Sequence, residues 1–209
     1  MDQAEIMRIL SAVGAVLIDN HFVYTSGKHG SAYVNKDAVY PHTKETELLC
    51  KQIALRFAGH RIDVVVGPVI GAVILSYAVA RNLSELNDRE VLGVYAEKTG
   101  DGGFDIKRGY DKLIRGKRVL VVEDVLTTGE SVRKVVQAVR SAGGDVVGVA
   151  ALCNRGSVTA RDLADAPELF ALVDIPLDAW DEAACPLCAR GVPVNVDVGK
   201  GREFLARKH

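Results

Sequence analysis

Between Val119 and Ser131 the chain reads VLVVEDVLTTGES: an apolar run, two carboxylates, two hydroxyls, a glycine and a third hydroxyl. Each part has a chemical use. Backbone N–H groups at the start of a helix favour an anion, and Gly129 lets the backbone approach it. Thr127, Thr128 and Ser131 add donors without adding charge, which suits a terminal phosphate. Glu123 and Asp124 cannot face the same phosphate. They suit vicinal sugar hydroxyls one ribose length away, and their charge favours a cationic ribosyl centre. Taken singly, Thr127 could merely cap a helix and Asp124 merely end a strand; the ordered combination argues against that. Neither the GxxxxGK loop of the P-loop enzymes nor a GxGxxG dinucleotide fingerprint occurs.

The elements that must position this loop follow from residue 43 onward, where apolar runs alternate with helical periodicity. Thr43 is read as capping a helix to about Ala58. Asp63 to Gly67 reads as a buried strand, Gly71 to Arg81 as a helix and Val91 to Tyr95 as a second strand. Arg118 to Glu123, a helix from about Ser131 to Ala142, Asp145 to Leu152 and a last strand around Leu169 to Asp174 complete the pattern. Strands so continuous in Val, Leu and Ile are covered on both faces, as βαβ crossovers require. The expected fold is α/β, a parallel sheet flanked by helices, with ligands beyond the carboxyl ends of the strands. GPVIGA, YAEKTGDGG, EDVLTTGES and CNRG mark those ends. Met1 to Asp19 reads as a helix, Phe22 to Lys36 as a short extended hairpin and Asp178 to His209 as irregular. One domain over 1–209 is expected, with a core of about 43–175 and a small hood from 1–42 and 176–209.

A chain of 209 residues can bury roughly 70% of its unfolded surface around one core. Its 26 basic and 27 acidic residues give a net charge of -1, so neither nucleic acid nor an anionic membrane is the expected partner. No apolar run approaches the roughly 18 to 20 residues of a membrane helix, and the first ten residues do not read as a signal peptide. A cytoplasmic location is expected. Cys50 and Cys153 lie in apolar segments and read as core residues. Cys185 and Cys188 form a CxxC, but the two further ligands that zinc needs do not stand nearby in sequence. The pair is read as a turn in a C-terminal flap in preference to zinc, and no residue is assigned to a metal.

RVLVVEDVLTTGES resembles the ribose-phosphate-diphosphate loop of the type I phosphoribosyltransferases. Within them the chain looks most like the orotate phosphoribosyltransferases and their bacterial relatives. FVYTSGKHGSAYVN is similar to their F-x-L-x-SG-x-x-S-x-Y element, VVVGPVIGAV to the pyrophosphate loop, YAEK with its Gly-rich sequel to the mobile catalytic loop, and CNRG to the base-binding segment. The resemblance implies a hooded parallel-sheet core, a homodimer, Mg2+ and phosphoribosyl diphosphate. It implies binding of that substrate by Lys98 and by Glu123, Asp124, Val125, Leu126, Thr127, Thr128, Gly129, Glu130 and Ser131, orotate contacts from Thr127 and Arg155, and catalytic roles for Lys98, Asp124 and Glu123.

The chain departs from the family pattern in two places. Thr25 stands where a lysine often precedes SG, and Lys28 could substitute. Glu97 precedes Lys98 where the catalytic loop commonly has Arg-Lys, and no histidine follows. Lys107 and Arg108 could restore the positive charge or remain solvated loop cations. The reaction so implied breaks the bond from C1 to diphosphate and joins a ring nitrogen to C1 through an oxocarbenium-like state, with no covalent nucleophile. Thr99 to Gly109, with four glycines, reads as a lid that excludes water. Arg155, beyond a buried strand, offers a planar fork for a carboxylate or imide edge; an ion-paired surface residue is the weaker reading. The rivals are a purine phosphoribosyltransferase with the same phosphate loop, and a non-catalytic sensor of the sugar diphosphate, against which stands the absence of a basic stripe or a helix-turn-helix segment.

Overall fold

The computed structural model describes residues 1–175 and 178–207. The hood expected from 176–209 includes 176, 177, 208 and 209, which lie outside the described residues. Ten strands occur among the described residues: β1 Val16–Leu17, β2 Phe22–Val23, β3 His29–Gly30, β4 Tyr33–Val34, β5 Val64–Pro68, β6 Leu92–Lys98, β7 Phe104–Asp105, β8 Arg118–Leu126, β9 Asp145–Asn154 and β10 Leu169–Asp174. The helices are α1 Gln3–Ala12, α2 Thr43–Phe57, α3 Val73–Asn87, α4 Tyr110–Ile114, α5 Glu130–Ser141, α6 Pro186–Ala189 and α7 Gly201–Ala206.

Six strands form one sheet in the order β10-β9-β8-β5-β6-β7, and every pairing is parallel except that of β6 with β7. Alternation along β8 explains its continuous apolar sequence. Leu120 and Val122 enter the core built with α1, α2 and α3, whereas Val119 and Val121 enter the core under α5. Cys50 and Cys153 are buried in the first of these, as expected. No helix among the described residues is long and apolar enough to cross a membrane.

Several expected boundaries move. Thr43 is the first residue of α2 rather than its cap; His42 holds the cap position without a side-chain hydrogen bond. The helix expected from Met1 to Asp19 ends at Ala12, because Gly14 turns the chain at φ +72° into β1. α1 itself packs Ile6 and Leu10, one turn apart, into the main core. α3 begins at Val73 and runs on to Asn87, six residues beyond the expected Arg81. Asp178 to His209 is not irregular throughout, since α6 and α7 form within it. Most consequential, β8 continues to Leu126, three residues past the expected Glu123, because β9 pairs with it as far as Leu126↔Asn154. The acidic pair therefore sits on a strand that a neighbour holds in place.

The N-terminal segments turn back over the carboxyl end of the sheet. β2 and β3 form the antiparallel hairpin expected within Phe22 to Lys36, while β4 pairs with β1, which brings Tyr33 to Asp37 toward β8. Within the expected lid, Phe104 and Asp105 pair antiparallel with Lys98 and Glu97, and Lys134 of α5 donates to the Gly102 carbonyl at 2.8 Å. Leu49 of α2, fully buried in the main core, tests the packing that supports this platform. Leu49→Ala should cost about 2 to 5 kcal/mol, read as a lower urea midpoint at an unchanged slope; a midpoint shift near zero would show that this face of the sheet does not need α2.

Candidate active site

After β5 the sheet grows in two directions, to β6 on one side and to β8 on the other. Chain connections diverge at this switch point and leave a crevice beyond the strand ends. A cavity of about 510 Å3 opens there, walled by Pro68 to Gly71 after β5, Lys98 at the end of β6, Glu123 to Val125, Thr127 and Ser131 from β8 and its loop, Arg155 after β9, and Tyr33 to Asp37 from above.

Glu123 and Asp124 are 8% and 3% exposed. Both line the main cavity, and the Asp124 N–H donates to Glu123 Oε1 at 3.1 Å. Glu123 also lines the smaller hollow of the phosphate loop, while Asp124 turns toward Gly71 and Lys36. Lys36 Nζ donates to Asp124 Oδ2 at 2.8 Å. Gly71 is required by that contact, since a Cβ there would lie 2.3 Å from Asp124 Oδ2 and 2.7 Å from Lys36 Nζ. Burial works against the Lys36 charge, yet the hydrogen bond to Asp124 keeps its affinity for the proton above the ordinary value. Burial, and next the charge of Asp124, push the Glu123 carboxyl up to about 8, with Lys36 offsetting only part of this. Without substrate, Glu123 thus binds its proton more tightly than an ordinary carboxylate does.

The phosphate loop turns at Gly129, whose φ of +72° suits glycine and whose Cβ would meet Leu163 Cδ2 at 2.7 Å. α5 starts one residue later, so its first N–H groups face the hollow formed by Thr127 to Ser131. The loop after β9 is fastened to it: Arg155 and Gly156 N–H both donate to the Leu126 carbonyl, at 2.9 and 3.2 Å, and Arg155 Nε donates to Thr127 Oγ1 at 2.8 Å. A Cβ on Gly156 would fall 1.6 Å from the Thr127 carbonyl oxygen, so only glycine allows this approach. A second cavity of about 450 Å3 continues from Thr127 and Arg155 to Tyr24, Thr25 and Ser26 of the hood.

The structure brings together Lys98, Glu123, Asp124, Val125, Thr127, Ser131 and Arg155 around one cavity, with Leu126, Thr128, Gly129 and Glu130 around the adjoining hollow. Lys98 is exposed on the rim of its own chain's cavity. Arg108 is ion-paired with Glu97, so it is not simply a solvated cation. Lys28 lies 3.7 Å from Asp181 and is not among the residues lining the main cavity. The lysine that reaches the acidic pair is Lys36, which sequence reasoning missed. Its signal was the YVNK that follows the SG element, but nothing local shows that a residue 88 positions before Asp124 will meet it.

Residues 37–185 match the phosphoribosyl transferase domain. The chain belongs to this family. Phosphoribosyltransferase relatives similar over nearly the whole chain include the orotate phosphoribosyltransferases of Pelotomaculum thermopropionicum, 42% identical over 92% of this chain and 95% of that one, and of Thermoanaerobacter sp., 36% identical over 93% and 96%. Among solved phosphoribosyltransferases, the orotate phosphoribosyltransferase of Mycobacterium tuberculosis H37Rv matches with a TM-score of 0.66 at 25% identity, covering 83% of this chain and 97% of that one. The same enzyme in complex with 5-phospho-alpha-D-ribosyl 1-diphosphate matches with a TM-score of 0.61, also at 25% identity, over 84% and 97%.

The raised proton affinity of Glu123 has a measurable consequence for this phosphoribosyltransferase. Its folded value of about 8 exceeds the ordinary 4.5, so between those values the native state binds more protons than the unfolded one and stability falls as pH rises. Glu123→Gln removes that dependence. In the absence of substrate the variant should gain on the wild type as pH rises from about 5 to 8, by on the order of 2 kcal/mol at the upper end, in denaturant titrations at several pH values. A stability difference independent of pH would mean that Glu123 is already ionised.

Proposed function

We propose that the chain transfers the 5-phosphoribosyl group from phosphoribosyl diphosphate to orotate, giving orotidine 5'-phosphate and diphosphate. The observation that carries the orotate reading is Arg155, fastened to Thr127 at 2.8 Å where the main cavity meets the second one. Its guanidinium offers paired donors to a planar carboxylate, the group by which orotate differs from uracil. The similarity to orotate phosphoribosyltransferases over more than nine-tenths of the chain supports the same reading.

The residues act chiefly by electrostatics. The N–H groups and hydroxyls of Thr127 to Ser131 receive the 5-phosphate, and Glu123 and Asp124 accept hydrogen bonds from the ribose hydroxyls. As the bond from C1 to diphosphate breaks and a ring nitrogen of the base bonds to C1, the acidic pair favours the cationic sugar and Lys98 the departing diphosphate. Thr99 to Gly109 closes over the substrates and excludes water. Two buried carboxylates with hard oxygen donors beside a diphosphate site fit Mg2+, which when bound neutralises charge on the diphosphate. Homodimer formation is supported by an apolar patch on α3 and the turn before it, where Ile70, Ile74 and Tyr77 are 87%, 50% and 67% exposed. We place the enzyme in the cytoplasm, acting as one unit of core and hood.

Orotate, uracil, hypoxanthine, xanthine and adenine offered in turn with phosphoribosyl diphosphate and Mg2+ test the proposal. Orotate should be consumed and uracil rejected, because uracil leaves Arg155 without its partner. Arg155→Ala should lower kcat/KM for orotate roughly 30- to 900-fold, while calorimetry still finds near-native binding of phosphoribosyl diphosphate. Turnover of a purine base instead of orotate would move the assignment to purine salvage chemistry, and sugar-diphosphate binding without any turnover would make the chain a sensor.

A further inference from the structure

The hood contains a cluster that the transfer reaction does not use. His21 precedes β2 and His29 opens β3, and Cys185 and Cys188 frame the start of α6, yet one ligand atom from each lies within 4.8 Å of all the others. His21 Nε2 is 2.8 Å from His29 Nδ1 and 3.7 Å from the sulfurs of both cysteines, and Cys188 Sγ is 3.3 Å from His29 Nδ1. Around a tetrahedral zinc with nitrogen and sulfur ligands, donor atoms stand about 3.3 to 3.8 Å apart. The four donors therefore need only small side-chain adjustments to surround one ion.

The surroundings are those of a metal site rather than of a chance core contact. His21, His29 and Cys185 are buried, with exposures of 1%, 0% and 2%. His21 Nδ1 lies 2.8 Å from the Val192 carbonyl; an N–H donated there leaves the Nε2 lone pair aimed at the cluster, the outer hydrogen bond that metal-bound histidines make. The Cys188 N–H donates to Cys185 Sγ at 3.5 Å, and Pro186 fixes the turn between them. The backbone closes round the same point: His29 and Trp180 exchange N–H to carbonyl bonds of 2.8 and 2.9 Å, and Asn195 N–H donates to the His21 carbonyl at 2.7 Å.

We propose that His21, His29, Cys185 and Cys188 bind one structural Zn2+. Two thiolates and two imidazoles at tetrahedral spacing select zinc over harder cations, and four protein ligands leave no position open for catalysis. Binding releases the two thiol protons and joins segments 156 residues apart, between His29 and Cys185. The ion's place explains its use. Thr25 and Ser26 lie in the loop between the two histidines, and Ala179 precedes Trp180; all three wall the cavity that continues from Arg155. Zinc thus holds the hood wall of the base pocket, a consequence that rests on the orotate reading, whereas the site itself does not.

Untagged protein, desalted under reducing conditions, should carry about one zinc per chain by inductively coupled plasma mass spectrometry. Cobalt exchanged into it should give the intense visible bands of tetrahedral coordination with a thiolate-to-metal band in the near ultraviolet. Cys185→Ser with Cys188→Ser should abolish both signals, and the more conservative His29→Cys, which keeps four ligands, should retain a full equivalent of zinc, so that a poorly folding double variant does not decide the matter. A folded wild type that holds no zinc even after incubation with equimolar zinc sulfate would overturn the proposal, as would a double variant that holds as much zinc as the wild type, or a Cys185–Cys188 disulfide found in protein kept reduced. Removal of zinc by a chelator should raise KM for orotate several-fold more than KM for phosphoribosyl diphosphate. Zinc present with both constants unchanged would overturn the assigned place of the ion in the base pocket and leave the site intact.

Discussion

Two adjacent carboxylates buried at the carboxyl end of β8 set the terms for everything around them. Charged groups removed from water must be paired or neutralised, and the chain does both. Asp124 is paired with Lys36, and burial raises the proton affinity of Glu123 above that of a solvated carboxylate. The fold supplies the conditions. β5 and β9 hold β8 on either side, β4 delivers Lys36 from the hood, and Gly71 keeps the backbone after β5 clear of the pair. Without substrate the pair is served by Lys36 and by the raised proton affinity of Glu123. In the proposed reaction, ribose hydroxyls and the accompanying cationic charge take their place, so that the ionised pair favours the cationic sugar.

A second constraint ties the two halves of the reaction together. The Leu126 carbonyl accepts from both Arg155 and Gly156, and the Thr127 hydroxyl accepts from Arg155, so the loop proposed to receive the sugar phosphate also sets the position of the guanidinium. Near-attack geometry depends on such shared fixtures, because an error of about 1 Å between two bound reactants costs orders of magnitude in rate. The hood walls the other side of the proposed base pocket, and its two ends are joined by contacts of His21 with Val192 and Asn195 and of His29 with Trp180.

How much of this the sequence reveals depends on the range of the interactions. The parallel core is legible because strands covered on both faces must be apolar at every position, as DVVVG and RVLVV are. The phosphate loop is legible because its chemistry is contiguous. The true end of β8 is not: acidic residues and threonines look like a loop, and only the ladder to Cys153 and Asn154 keeps them extended. Lys36 is invisible for a related reason, since its partner lies 88 residues on. The CxxC looks unaccompanied along the chain, while the fold sets two histidines from the other end beside it. The early stop of α1 was open to reading, as Gly14 follows the last periodic residue; amphipathic spacing beyond it masked the signal.

A Glu123 carboxylate that faces the ribose must give up, when phosphoribosyl diphosphate binds, the proton that the empty site holds more tightly than usual. Calorimetry of phosphoribosyl diphosphate binding, with Mg2+ present, at pH near 7 in buffers of different ionisation enthalpy counts the protons exchanged. The wild type should release about one proton more than Glu123→Gln does. Equal release by the two proteins, at comparable affinity, would contradict this, because Glu123 would then either hold no extra proton beforehand or keep it when the sugar is bound.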